Sequence, residues 1–372
     1  MLVAFSVLRE SSANAAEVTM PPAVSQPATS INSLREQTQS LLAALRALPD
    51  QREHRLIIGQ NIGAADNAAE GYQRFIEKPS GRLAGRHPLL VGIDYGWDRI
   101  EAGHIAAANR VLIEHWKRGG MVTVCMHPGN PCSEGGTVQQ VRGVDLEAVL
   151  TAGTEANRRW MRDLENIATG LDELRRAGVV VLWRPLHEMN GGWFWWCSDQ
   201  HPGGWTDPAK FTALWRHLHR YLTVERKLDN LIWVYAPNAK LDEHTRPVAT
   251  YYPGSDVVDV VGYDCYTDVI GAQVWNANNS YTDLIALEKP FMVSELGPGP
   301  KQRGTFDSQA AIASILANCP RTMCVMHWHS WSERRLLGKR YVAMALSDTP
   351  NAEAVMAAPV SRTLSDGRPG SP

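Results

Sequence analysis

What this chain lacks narrows its possible roles before any motif is read. Lys+Arg total 37 against Asp+Glu 39 in 372 residues, a formal charge of -2. No basic surplus is therefore available to drive nucleic-acid binding by counterion release. No apolar run approaches the roughly 18 residues that a membrane-spanning helix needs. No G-x-G-x-x-G follows an early strand-like run, so the dinucleotide-binding fingerprint is missing. With 44% apolar and 20% charged residues the composition is that of a folded chain, which excludes wholesale disorder. Phenylalanine is also scarce: Phe 6 stands beside Tyr 10 and Trp 13. A core needing only bulk can use Phe, which has no N–H to satisfy. The tryptophan excess points either to a Trp-rich core or to flat, polar-edged rings that suit sugar faces.

The first thirty residues differ from the rest. Leu2–Leu8 is a short apolar run, followed by the small-residue pattern Ala13-Asn14-Ala15. That pattern reads as a signal peptide without its positive n-region, so residues 1–30 are expected to be a truncated export signal and linker, and the protein to be secreted or periplasmic. The cysteines Cys125, Cys132, Cys197, Cys265, Cys319 and Cys324 lack the paired spacing of a zinc site. Cys125 and Cys265 read as buried thiols; Cys132 with Cys197, and Cys319 with Cys324, are candidate disulfide pairs.

From residue 55 onward, short apolar runs alternate with longer amphipathic ones. The strand candidates are Arg55–Ile62, Pro88–Tyr95, Met121–His127, Val179–Glu188, Leu231–Pro237, Val257–Tyr266, Pro290–Glu295 and Met323–Trp331. Near-continuous hydrophobic runs of this kind suit parallel strands covered on both faces. Between them, Trp160, Leu164, Ile167, Leu171 and Leu174 recur at helical spacing, as do Phe211, Leu214, Trp215, Leu218 and Tyr221. An earlier segment with Leu34, Leu41, Leu45 and Leu48 is expected to cap the barrel bottom. Asp207-Pro208 reads as a helix start, and Gly119-Gly120 and Gly178 as stops. The expected fold is α/β, a single (β/α)8 barrel over residues 31–358, with a flexible tail over 359–372.

In such a barrel the site forms where strands end, at the C-terminal face. Strand four runs into Arg184-Pro185-Leu186-His187-Glu188, and strand seven into Ser294-Glu295. Two Glu on strands facing one another across a barrel suggest the carboxylate pair of glycoside hydrolysis. Their pKa values must then be pushed apart by their surroundings. Strand alternation puts Arg184 on the same face as Glu188, where a structural ion pair in the barrel core is expected. His187-Glu188 begins like H-E-x-x-H, but Gly191 stands where the second ligand belongs. His327-Trp328-His329 could align two imidazoles, yet a third ligand is not evident, and hydrogen-bonded histidines behind the Trp are the reading preferred here. Trp193, Trp195, Trp196, Trp328 and Trp331 lie near the strand ends and are expected to line a saccharide cleft, whereas Trp160 and Trp215 sit mid-helix and read as core.

The stretch Trp183-Arg184-Pro185-Leu186-His187-Glu188-Met189-Asn190-Gly191-Gly192-Trp193-Phe194-Trp195-Trp196 closely resembles the acid/base signature of glycoside hydrolase family 26, best known for β-mannanases. The resemblance extends to Ser294-Glu295, to His127 in His-Pro-Gly-Asn-Pro, to Asp264 and Tyr266, and to Trp328. It implies Glu188 as acid/base and Glu295 as nucleophile of a retaining hydrolase that needs neither metal nor other cofactor. It also implies that Tyr266 orients Glu295 and that His127 and His187 line the subsite of bond cleavage. Trp193 and Trp328 would stack sugars, with Asp264 among the substrate-binding residues. The family's Gly-His-Gln after strand one is Gly59-Gln60-Asn61 here, and its arginine after the strand-eight Trp is His329. The expected partner is a polysaccharide or oligosaccharide bound by a monomer. Internal cleavage of β-1,4-mannan is the first expectation, with β-1,3-xylan, mixed-linkage glucan and bacterial exopolysaccharide as alternative substrates and a non-catalytic carbohydrate-binding barrel as the alternative of another class.

Overall fold

The computed structural model describes residues 31–78, 83–198, 204–335 and 338–370; the expected export segment lies outside them. Eight parallel strands follow in order: β1 (Leu56–Ala64), β2 (Leu90–Asp98), β3 (Met121–Pro128), β4 (Val181–Arg184), β5 (Leu231–Tyr235), β6 (Val260–Thr267), β7 (Phe291–Pro298) and β8 (Thr322–His327). Each pairs with its sequence neighbour, and β8 returns to β1 through Ile57↔Cys324 to Gln60↔His327, closing the barrel. All eight expected strands are present. Their runs of Val, Ile, Leu and Met are buried on both faces because the interior is filled and helices cover the outside. Met326 plugs the interior where β1 and β2 carry glycine: a Cβ on Gly92 would lie 2.4 Å from the Met326 sulfur.

The covering helices follow the sequence signals closely. In chain order the two that matter first are α1 (Ile31–Ala47) and α2 (Ala68–Tyr72), followed by α3 (Ala102–Lys117), α4 (Leu146–Leu150) and α5 (Glu155–Arg176). Thr154 caps α5 by accepting from the Asn157 N–H at 3.0 Å, and Gly178 just beyond its end has φ 74. The next helix, α6 (Pro208–His219), starts at Asp207-Pro208, with the Asp207 carboxylate accepting from Ala209 N–H. α1 buries Leu34, Leu41 and Leu45, and Arg46 donates to the Glu288 carbonyl just ahead of β7. It thus caps the N-terminal base of the barrel, as its leucine spacing implied.

Three features depart from expectation. Strand eight ends at His327, and Trp331 opens an antiparallel hairpin, β9 (Trp331–Arg335) with β10 (Gly338–Val342). The tail expected to be flexible is instead built into the barrel. β11 (Ser361–Arg362) runs parallel to β1, which extends below β2 and offers Leu56 and Ile57 as an unpaired edge. Arg368 then donates to the carbonyls of Trp116 and Gly120 at 2.7 and 2.9 Å and lies over the Trp116 ring at 3.8 Å. Polar composition misled here because a short edge strand needs backbone groups rather than apolar side chains. Finally, all six cysteines are free thiols, five of them buried, so neither suggested disulfide pair forms.

Candidate active site

β4 stops at Arg184, and the chain then turns across the barrel mouth. Leu186 (φ 47) and Glu188 (φ 54) both adopt left-handed backbone, which an L side chain takes up only at a cost. The turn is held by Glu188 N–H donating to Ala236 O at 2.8 Å and by Gly191 N–H donating to Glu188 O at 3.0 Å. Glu188 therefore reaches the mouth through a strained turn, not by alternation along a continuous strand. That corrects the argument that placed it on the face of Arg184. Its two carboxylate oxygens each take one neutral donor, Asn238 Nδ2 and Trp193 Nε1, both at 2.8 Å.

On the far side, β6 and β7 lose register at one residue. Tyr263 pairs with Val293 and Asp264 with Glu295, so Ser294 is the extra residue of a bulge. The bulge turns Glu295 into the mouth and lets Ser294 Oγ donate to Asp264 Oδ1 at 2.6 Å. Arg184 bridges the two acids: Nη1 donates to Asp264 Oδ2 at 2.9 Å and Nη2 to Glu295 Oε1. The Tyr266 hydroxyl donates to Glu295 Oε2, and His187 Nε2 lies 3.8 Å from Oε1. Arg184 is indeed an ion-paired core residue, and one of its partners is a carboxylate of the site.

The two glutamates thus meet unlike surroundings. Burial, then the negative charge of Glu295, pushes Glu188 up to about 7, against the pull of Asn238 and Trp193. Arg184 stays a cation: burial opposes its charge, but Asp264 and Glu295 more than offset that and hold it well above its ordinary value. His187 is driven well below the usual histidine range, first by burial and then by Arg184 and His127, and is neutral. Burial, and next the Glu295 charge, lifts the Tyr266 phenol well above its ordinary value, so it remains a donor. Near neutral pH one carboxyl can carry a proton, while the other is held by a guanidinium and a phenol. That combination can protonate a leaving oxygen and attack a carbon.

The remaining expected residues divide. His127 lies beneath this pair, with Nδ1 at 2.5 Å from Asp94 Oδ2 and its ring edge-on to His187 at 4.5 Å. Trp193 is half-buried against Glu188, and Trp328 is buried beside His329 with ring centroids 5.0 Å apart. Asp264, expected at the substrate, is instead wholly buried, with one oxygen on Arg184 and the other on Ser294; its place is behind the site. Trp195 and Trp196 are also wholly buried, not cleft-lining. Trp195 donates to Pro128 O and packs edge-on against Trp160, while Trp196 donates to His187 O. The loop folds back under itself, so these rings support the site from below.

His327 and His329 do not share a face. His327 Nε2 meets Ser308 Oγ at 3.2 Å on α9 (Ser308–Asn318), which follows the short helices α7 (Ala272–Trp275) and α8 (Ser280–Ile285). His329 Nδ1 meets Asn61 Oδ1 at 2.8 Å. Among the described residues, two groups bring metal-type ligand atoms within 4.8 Å: Asp94, Cys125 and His127, and His187, Asp264 and Glu295. In the first, Asp94 and His127 already bond each other; in the second, the Arg184 guanidinium already supplies the positive charge. Sequence reasoning missed Asn238, which donates to Glu188, and Asp94, which holds His127. Asn238 directly follows the strand-five run, the same end-of-strand position that singled out Glu188, and Asp94 is a charge inside an apolar strand.

A family model described as Glycosyl hydrolase family 26 matches residues 31–341. The mannan endo-1,4-beta-mannosidase A and B of Caldalkalibacillus mannanilyticus is 33% identical over 327 residues, covering 85% of this chain and 61% of that relative. A mannan endo-1,4-beta-mannosidase of Bacillus subtilis is 33% identical over 302 residues, covering 79% of this chain and 80% of the relative. Among solved structures, the Bacillus subtilis mannanase man26 superposes with a TM-score of 0.73 at 28% identity, covering 90% of this chain and 92% of that one.

Proposed function

The chain belongs to glycosyl hydrolase family 26 and is a glycoside hydrolase, and from that premise we propose that it cleaves β-1,4-mannan internally by double displacement. Glu188 is the acid/base and Glu295 the nucleophile in this reading. The observation that carries it is the opposed setting of the two carboxyls, one raised to about 7 and one ion-paired with Arg184.

In the first step Glu188 gives its proton to the glycosidic oxygen while a Glu295 oxygen attacks the anomeric carbon. The C–O bond to the leaving sugar breaks as the glycosyl–Glu295 ester forms. Arg184 and Tyr266 hold Glu295 aimed until then, each donating to one of its oxygens, and the donor on the oxygen that does not attack remains to steady the ester carbonyl. Glu188 is now an anion, and Asn238 and Trp193 hydrogen-bond that form. In the second step it takes a proton from water, whose oxygen displaces Glu295 from the anomeric carbon. Configuration is retained and Glu188 is reprotonated. His187, neutral beside Glu295, can accept or donate to the reacting sugar without competing for the carboxylate charge.

Support for mannan comes from the relatives, which are named for it. A polymeric substrate outside the cell also favours export, consistent with the apolar stretch near Leu2–Leu8. Purified protein should be incubated with mannan, glucomannan, lichenan and β-1,3-xylan, and the first products followed by proton NMR. Mannan should be cut fastest, with the β-anomer appearing first. Glu295→Gln should lose orders of magnitude because the covalent route disappears. Preference for lichenan or xylan would redirect the substrate, and an α-anomer appearing first would overturn the double displacement.

A further inference from the structure

We propose that Asn190 is a positioning residue for the acid/base: its side-chain amide replaces the strand that ended at Arg184 and so holds Asn238 against Glu188. This role rests on the hydrolase reading above. Asn190 is wholly buried. A buried, fully bonded asparagine ordinarily does no more than satisfy the backbone groups around it. What distinguishes this one is the residue it grips, because Asn238 carries a donor to Glu188 Oε1.

β4 pairs with β5 only from Val181↔Leu231 to Trp183↔Trp233. Beyond that point the chain from β5 runs on toward the mouth, and its backbone groups on the β4 side need new partners. Alternation sorts them. Pro237 O and Ala239 N–H face β6, where they meet the N–H and carbonyl of Asp264 at 2.9 Å each. Ala236 and Asn238 therefore turn their backbone groups to the side that β4 has left. Glu188 N–H donates to Ala236 O at 2.8 Å. The Asn190 amide takes both groups of Asn238: Oδ1 accepts its N–H and Nδ2 donates to its carbonyl, each at 2.8 Å. A primary amide offers a donor and an acceptor in one plane, as a peptide unit does. Nδ2 also donates to Arg246 O at 2.9 Å, and the Asn190 carbonyl accepts the Arg246 N–H at 2.9 Å. Both ends of the segment 238–246 are thus fixed to one residue.

Two consequences reach Glu188. The clasp sets where Asn238 Nδ2 stands, 2.8 Å from Oε1. It also anchors the far end of the turn in which Leu186 and Glu188 hold left-handed backbone, so bonds made at Asn190 offset the cost of that conformation. The titratable groups that face Glu188 are Glu295 on β7, Asp264 and Tyr266 on β6, His127 on β3 and Cys197 beyond the turn. Asn190 bonds instead to Asn238 and Arg246, so its loss slackens a donor on Glu188 and leaves those groups in place. A donor to the ionised form lowers a carboxyl pKa, and its slackening raises it.

The test follows kcat/KM against pH on soluble mannan for wild type, Asn190→Ala, Asn238→Ala and the double variant. In Asn190→Ala the alkaline limb should rise by about half a unit, a roughly threefold fall in the acid constant of Glu188, and kcat should drop about tenfold. Added to Asn238→Ala, the same substitution should leave the limb where Asn238→Ala put it, because the donor it acts through is gone. A limb that stays fixed in Asn190→Ala while activity falls would overturn the proposal and leave Asn190 a purely structural residue. An equal shift in both backgrounds would overturn it too, since the effect would then bypass Asn238. Asn190→Ser, whose hydroxyl keeps one of the bonds, should move the limb less but in the same direction, and it serves in both backgrounds if the alanine variant does not fold. If wild type cleaved no mannan, the substrate reading would fall. Titration of the Glu188 carboxyl in the free protein, by infrared difference against Glu188→Gln, would still decide the role of Asn190 by the same shift.

Discussion

Removing the Asn238 side chain as Asn238→Ala should raise the pKa of Glu188 and move one limb of the pH profile. Asn238 Nδ2 donates to Oε1 at 2.8 Å and Trp193 Nε1 to Oε2 at 2.8 Å. Both donors favour the ionised form, whereas burial and Glu295 push the other way and win, giving about 7. A hydrogen bond to a charged group contributes ~1.5 to 3 kcal/mol, and 1.36 kcal/mol corresponds to about one pKa unit. Water entering the vacated space returns part of that, so the expected rise is about one unit, to ~8. The acid step needs protonated Glu188, so the alkaline limb of kcat/KM should shift upward by that amount. The backbone N–H of Asn238, which donates to Asn190 Oδ1, is unaffected by the substitution and keeps the loop in place. The assay is kcat/KM on soluble mannan between pH 5 and 9. An alkaline limb that stays fixed or moves down in Asn238→Ala would refute the assignment of that limb to Glu188.

Trp193→Phe, removing the other donor, should shift the same limb in the same direction, with a rise in KM if the indole also touches sugar; pH profiles of both constants separate the two. Arg184→Met leaves Asp264 and Glu295 as buried neighbours without their shared cation, and should cost roughly 3–5 kcal/mol in urea unfolding along with nearly all activity. Trp196→Ala should cost ~3–5 kcal/mol, because the ring is wholly buried and its loss opens a cavity under His187; stability close to wild type would restore it to the cleft. Arg368→Ala, losing two carbonyl contacts and the stack on Trp116, should cost roughly 1–3 kcal/mol with kcat unchanged.

The barrel was legible because parallel strands buried on both faces write themselves as uninterrupted Val, Ile and Leu runs. Glu188 and Glu295 were legible because Glu295 closes such a run and Glu188 stands a short turn beyond one. What escaped depended on events that leave little trace in local pattern. The bulges at Ser294 and near Trp97 each add one residue to a strand and so reverse which side chains face the mouth. Trp195 and Trp196 carry the composition of a sugar cleft, but a loop that turns back on Pro128 and His187 puts them in the core. Asp264 belongs to the same motif end as Tyr266, yet it faces Arg184 while Tyr266 faces Glu295. Conversely, Ser361 and Arg362 pair with β1 through backbone groups that any residue carries, so nothing in their side chains announced a strand.

That last pairing has a bearing on how the chain matures. β1 is the first barrel strand to be synthesised, but two of its three strand neighbours, β8 and β11, are later than every other strand of the barrel sheet. Until they emerge, Ile57 to Gln60 have no partner on the β8 side and Leu56 and Ile57 have none on the side β2 takes farther up, and the barrel is an open sheet exposing hydrophobic surface. Closure is therefore a late event that joins the first barrel strand to the last elements of the sheet, with loop-closure entropy offset only once both are present. A ribosome-stalled chain halted before Ser361 should remain protease-sensitive along β1, with protection arriving only after β8 and β11 have both cleared the exit tunnel.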